Sequence, residues 1–264
     1  MRIYTTIVAM LMCLGLQAQN FDELCESGAA ALGKGEYDKA AKQFGKALLE
    51  SRSDKEKIYA LLNLAYSQQM GGKLKYALES YDKAAAMSGN NTQVLLLRGR
   101  LFMEIDSTAK AAEDFSEVIR REPGNCDALF ARAHAYTDGG EYEKAMEDYR
   151  TLMETTPNVP AVKLGMTRLY QTQGKYSEAM TIVNLLIEEE PGNAAYYIAR
   201  SDIERKLGQY ELAIMDVEEA ARIEPGNADH YTLLSILYKE LGKVETAGKY
   251  RREADRLIKD RPEQ

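Results

Sequence analysis

Tryptophan is absent from this chain, proline occurs six times, and histidine appears only as His134 and His230. The two histidines lie too far apart in sequence to suggest a shared metal site. There is no Cys-x-x-Cys pair, no His-Glu-x-x-His, no glycine-rich phosphate loop and no Gly-x-Ser-x-Gly elbow. No catalytic residue, metal or cofactor is therefore expected, and the chain is not expected to be an enzyme. Three cysteines are too few for a secreted fold stapled by disulfides. An excess of cationic residues is also lacking. With 34 Lys and Arg against 41 Asp and Glu, the formal charge of -7 argues against a nucleic-acid partner, because phosphate binding needs clustered cations. What remains is rich in Ala, Leu, Glu and Lys, which favours helices.

Residues 1–18 differ from the rest. Arg2 supplies a short positive start, Ile3 to Leu16 is almost uncharged and apolar, and Gln17-Ala18-Gln19 follows. This is the pattern of a secretory signal peptide cut after Ala18. The apolar run is too short for a comfortable membrane span, so no membrane-spanning segment is expected after cleavage. Met12 stands before Cys13, where an acylated lipoprotein would carry a small residue. The chain is expected to be exported, to the periplasm, cell surface or exterior of a bacterium.

Beyond this segment the sequence repeats every 34 residues. Pro123, Pro157, Pro191 and Pro225 mark the period, as do Gly140, Gly174, Gly208 and Gly242. Extending the frame divides residues 19–261 into seven units, 21–57, 58–91, 92–125, 126–159, 160–193, 194–227 and 228–261, with a polar tail at 262–264. Unit position 20 is Ala40, Ala77, Ala111, Ala145, Ala179, Ala213 and Ala247. Position 8 is always small, and position 24 is Phe44, Tyr81, Phe115, Tyr149, Val183 or Val217 before becoming Arg251 in the last unit. Position 15 is Gly except at Asp106.

This layout resembles the tetratricopeptide repeat. The resemblance covers nearly the whole chain after residue 18. It implies an all-α fold, a right-handed α-solenoid of seven antiparallel helix pairs, with helix A of each unit lining a concave face and helix B outside. The residues support such pairs. Leu129, Ala133 and Tyr136, then Ala145, Tyr149 and Leu152, follow helical spacing, and Gly140 between them suits a left-handed helix end. Ala145→Leu is expected to overpack a helix contact by about 1–3 kcal/mol, and Tyr149→Ala to open a cavity worth about 3–5 kcal/mol. Arg251 reads as a polar cap on the final unit. Cys25 and Cys126, three units apart, are expected to be free thiols, because stacked helices about 8–10 Å apart separate them too widely to bond.

The resemblance further implies a protein or peptide partner bound along helix A, at unit positions 2, 5, 9 and 12. Positions 9 and 12 supply the candidate partner-binding residues Tyr66, Gln69, Arg100, Met103, His134, Arg168, Gln171 and Arg205. The order Tyr66, Arg100, His134, Arg168 suggests a groove for a carboxylate-bearing segment, since Arg presents a fork matched to carboxylate and Tyr is favoured at interfaces. The alternative is that the cations pair with Asp127, Asp138 or Asp202. The carboxylate clamp of chaperone-binding members is not reproduced, since only Asn63 of its five places matches. Asp106-Ser107-Thr108 resembles a short bacterial O-glycosylation acceptor at Ser107, and also reads as a favourable Asp-Ser turn. The expected role is an exported scaffold or adaptor. An envelope-assembly component and an accessory module of a secreted enzyme are the alternatives, and self-association stays open.

Overall fold

The structure, a computed structural model, describes residues 21–156 and 159–260, and the signal-peptide segment, Pro157 and the polar tail lie outside them. The described residues form helices joined by short turns, with no strand among them. They fall into two compact units, one ending at Arg121 and the other beginning at Glu122.

The first unit contains α1 (Phe21–Gly33), α2 (Tyr37–Glu50), α3 (Asp54–Met70), α4 (Leu74–Met87), α5 (Thr92–Glu104) and α6 (Thr108–Arg121). The second contains α7 (Cys126–Asp138), α8 (Tyr142–Thr155), α9 (Pro160–Thr172), α10 (Tyr176–Glu189), α11 (Ala194–Lys206), α12 (Tyr210–Ile223), α13 (Ala228–Glu240) and α14 (Val244–Lys259). Odd-numbered helices are the A helices of the sequence frame and even-numbered ones the B helices. Each unit is thus a stack of helical hairpins.

The repeated alanines explain how close the hairpins pack. Ala40, Ala77, Ala111, Ala145, Ala179 and Ala213 are fully buried. Where the A helix carries Gly at position 8, the position 24 ring of the B helix fills the space. At Gly99 an added Cβ would lie 2.5 Å from Phe115 Cε1, a distance that cannot be tolerated without movement. On α6 the core side chains Ala111, Phe115 and Val118 recur at i, i+4 and i+7, the helical stripe that the sequence shows. Position 17 is the first residue of each B helix, and its side chain is half-buried in every repeat but the last, where Val244 is exposed.

Backbone ends are satisfied locally. Asn125, Asn193 and Asn227 each accept a hydrogen bond from a backbone N–H in the first turn of an A helix, a cap worth about 1 kcal/mol. The turns from A to B pass through a left-handed residue, as at Gly140 with φ 77°. Asp106 adopts the same conformation without being glycine, with φ 56°.

A second set of contacts locks A to B. Arg98 on α5 donates two hydrogen bonds to Asp114 on α6, and Arg132–Asp148 and Arg200–Asp216 repeat the arrangement with both bonds at 2.7–2.9 Å. The three aspartates are buried, so the paired guanidinium compensates a charge that water cannot reach. In the first two clamps the arginine also lies over an aromatic ring at position 11, Phe102 or Tyr136. The third has Glu204 at that position.

Candidate protein-interaction surface

Helix α3 turns one face outward. Ala60, Leu61, Ala65 and Ser67 are buried, while Tyr59, Tyr66 and Met70 are 48%, 45% and 45% exposed. The three exposed residues stand at i, i+7 and i+11, within about 40° on a helix advancing 100° per residue, and so form one stripe about 16 Å long. Phe21 of α1 meets Tyr59 edge to face, ring centroids 6.2 Å apart. Of this stripe only Tyr66 is among the candidates that unit positions 9 and 12 supply. Tyr59 and Met70 were detectable by the same helical spacing.

The other named residues of the first unit sit in different environments. Gln69 is tied on both sides, donating to Glu104 Oε2 at 2.5 Å and accepting from the Tyr81 hydroxyl at 3.3 Å. Arg100 is exposed on α5, and Met103 is half-buried one turn further on. Ser107 lies in the α5–α6 turn, where its backbone N–H donates to the Phe102 carbonyl at 2.8 Å and its side chain is half-buried.

In the second unit the polar candidates already have neighbours. Arg168 donates to Asp138 at 2.8 Å, the pairing that the sequence offered as the alternative to a ligand. Arg205 lies 3.7 Å from Asp202 and 3.8 Å from Glu240, beyond hydrogen-bond length, and its Nε is buried with no partner. Gln171 donates weakly to the Ala199 carbonyl at 3.4 Å. His134 is half-buried, edge-on to Phe130 with ring centroids 4.6 Å apart and to Tyr149 at 6.2 Å. Its Nε2 is buried without a hydrogen bond. Burial, followed by the charge of Arg168, lowers the His134 pKa and favours the neutral ring. Burial also pushes the Tyr149 hydroxyl up to about 12. His134 is thus part of the packing around Tyr149.

Cys25 and Cys126 are both free. Among the described residues no group of three or more His, Cys, Asp or Glu is arranged to hold a metal, and no helix is long and apolar enough to cross a membrane.

Sequence profiles of the tetratricopeptide repeat match residues 25–92 and 96–160, residues 137–203 and residues 194–227. The chain belongs to the tetratricopeptide-repeat family, and its helical hairpins form a protein-interaction scaffold. No curated protein matched in sequence. A tetratricopeptide repeat protein from Parabacteroides merdae is similar in structure, with TM-score 0.78 and 26% identity over 91% of this chain and 94% of that one. PilF of Pseudomonas aeruginosa has TM-score 0.58 and 21% identity over 84% and 96%. A chain of the APC/C hetero-tetramer Cut9–Hcn1 has TM-score 0.61 and 15% identity over 94% of this chain and 48% of that one. These last two share the fold.

Proposed function

We propose that this protein is an exported scaffold or adaptor that holds another protein or peptide against the solvent-facing side of its A helices. The observation that carries this reading is the stripe Tyr59, Tyr66 and Met70. It presents apolar and aromatic surface to water on a helix whose other side chains include the buried Ala60, Leu61, Ala65 and Ser67. Tyrosine suits this task because it offers a large rigid apolar body with a polar tip. Around the stripe, Gln69, Arg100 and Met103 extend the surface in the first unit, and Arg168, Gln171, Arg205 and His134 belong to the corresponding helix faces of the second. A carboxylate arriving at Arg168 would exchange with Asp138, which makes that contact selective for a well-placed acid. Action by binding, without catalysis, agrees with these features.

Export rests on Arg2, the apolar stretch Ile3 to Leu16 and Ala18. Ser107, behind the left-handed Asp106, is the proposed O-glycan acceptor in that setting. Intact-mass measurement of the protein from its native envelope tests both, because cleavage after Ala18 and a glycan each change the mass. A protein that retains residues 1–18 in the cytoplasm would refute export.

Partner capture from the native envelope fraction, comparing the wild type with Tyr59→Ala/Tyr66→Ala, tests the binding face. Loss of a specific partner from the variant supports the reading. Equal capture places the contact elsewhere. Stable recovery of an outer-membrane protein would make envelope assembly the task of the scaffold.

A further inference from the structure

At one end of the first unit, the N-terminal halves of α1 and α3 line an open groove of about 650 Å³. Part of its lining is apolar: Phe21 and Tyr59 meet edge to face, and Cys25 and Ala29 line it with them. On α1, Asp22, Cys25, Glu26 and Ala29 occupy i, i+3, i+4 and i+7, so two carboxylates and two small side chains share one face. Glu56 approaches from α3, where one of its oxygens accepts from the Arg52 backbone N–H at 2.6 Å. Three carboxylates thus face a single ammonium, that of Lys55. The thiol of Cys25 reports this field: burial raises its pKa first, and the charges of Asp22 and Glu56 raise it further.

We propose that this groove docks a basic–apolar segment of a partner protein, an apolar side chain packing against the joined rings of Phe21 and Tyr59 while an adjacent Lys or Arg faces Asp22, Glu26 and Glu56. The inference rests on reading the solvent-facing side of the A helices as the interaction surface, and it assigns a partner chemistry to one part of it. The charge excess selects the cation, because the three acids repel an acidic segment and a neutral one leaves them uncompensated. The exposed Tyr59 ring adds a cation–π face for the same ammonium or guanidinium. The apolar part of the lining adds the requirement for a neighbouring hydrophobic side chain, which a purely basic segment does not meet.

The test uses the full chain and three fluorescein-labelled hexapeptides: alternating Lys and Leu, alternating Glu and Leu, and alternating Lys and Ser. Fluorescence anisotropy is expected to show the Lys/Leu peptide binding at least tenfold more tightly than either of the others. Asp22→Lys/Glu26→Lys is expected to lower that affinity tenfold or more, and the milder Asp22→Asn/Glu26→Gln about threefold, with far-UV circular dichroism unchanged for both. Glu188→Lys, in the second unit, controls for diffuse attraction and is expected to leave the affinity unchanged. Equal binding of the Glu/Leu or Lys/Ser peptide overturns the proposal, as does an equal loss with Glu188→Lys. If the Lys/Leu preference is absent while capture of a native partner still depends on Tyr66, the groove assignment fails and the broader surface reading stands. If capture is indifferent to Tyr59 and Tyr66, the broader reading fails.

Discussion

Arg98 and Asp114 stand sixteen residues apart on consecutive helices and are joined by two hydrogen bonds, Nε to Oδ2 at 2.8 Å and Nη2 to Oδ1 at 2.7 Å. A third contact, at 2.9 Å, brings Asp82 of the preceding B helix to the same guanidinium. Each arginine of this type therefore closes its hairpin, and Arg98 also ties it to the one before. Asp114→Ala leaves a desolvated cation without its main partner, and a loss of about 3–5 kcal/mol is expected. Arg98→Met/Asp114→Leu removes both charges together and is expected to fall within about 1–2 kcal/mol of the wild type. Urea melts of both variants check this. A double variant as unstable as the single one would mean that the clamp is not a balanced pair.

Gly99→Ala is the most economical test of the hairpin packing. Its new Cβ would meet Phe115 at 2.5 Å, and overpacking by about 1–3 kcal/mol is expected despite the better helix propensity of alanine. Phe115→Leu on the Gly99→Ala background should restore part of that loss. Stabilisation by Gly99→Ala alone would contradict the close approach.

Asp106 and Gly140 occupy equivalent turns with φ 56° and 77°. Gly140→Ala places a Cβ in a left-handed residue and is expected to cost about 1–2 kcal/mol. Asp106→Gly relieves the same strain and is expected to be neutral or stabilising by up to about 1 kcal/mol. Thermal midpoints of the two variants should therefore move apart.

Glu204, which is buried, and His134, which is half-buried, give stability opposite dependences on pH. Glu204 is buried beside Asp216, with its Oε2 unpartnered, and burial followed by the Asp216 charge pushes its pKa from 4.5 up to about 7. The folded state then holds a proton that the unfolded chain has released. This contribution is complete below pH 4.5 and is lost as pH rises through about 7. Glu204→Gln should therefore gain on the wild type between pH 5 and 8, by roughly 2–4 °C in Tm for each kcal/mol. The His134 pKa is lowered from 6.5, so its contribution is present above pH 6.5 and is lost as pH falls below it. His134→Leu should flatten that acid side. Parallel pH profiles for wild type and variant would contradict either assignment.

The repeat frame was legible because close packing restricts certain positions to one kind of residue. Ala145 and Ala179 are fully buried where helices touch, and Gly140 needs a positive φ, so a 34-residue alignment exposes them. Arg98, Arg132 and Arg200 with their aspartates were equally visible at fixed spacing, yet charged residues are usually read as surface, and only burial identifies them as clamps. The pairing of Arg168 with Asp138 was open, because the partners lie thirty residues apart on successive A helices and either can face solvent. His134 sits at a position expected to face inward, but the ring folds against Phe130 and Tyr149, a rotamer choice that spacing does not reveal. Tyr59 stands at unit position 2, one of the positions that the resemblance assigns to the partner face, but candidates came only from positions 9 and 12; Met70, at position 13, falls outside that set, and its exposure beside Tyr66 is visible only along the single helix.

Hydrogen–deuterium exchange on the full chain, with and without the captured partner, tests the central claim most directly. Partner-dependent protection is expected along α3 and the solvent-facing side of neighbouring A helices, centred on Tyr59 to Met70, with the B helices unchanged. Protection confined to B helices such as α12 and α14, with α3 unaffected, would contradict it.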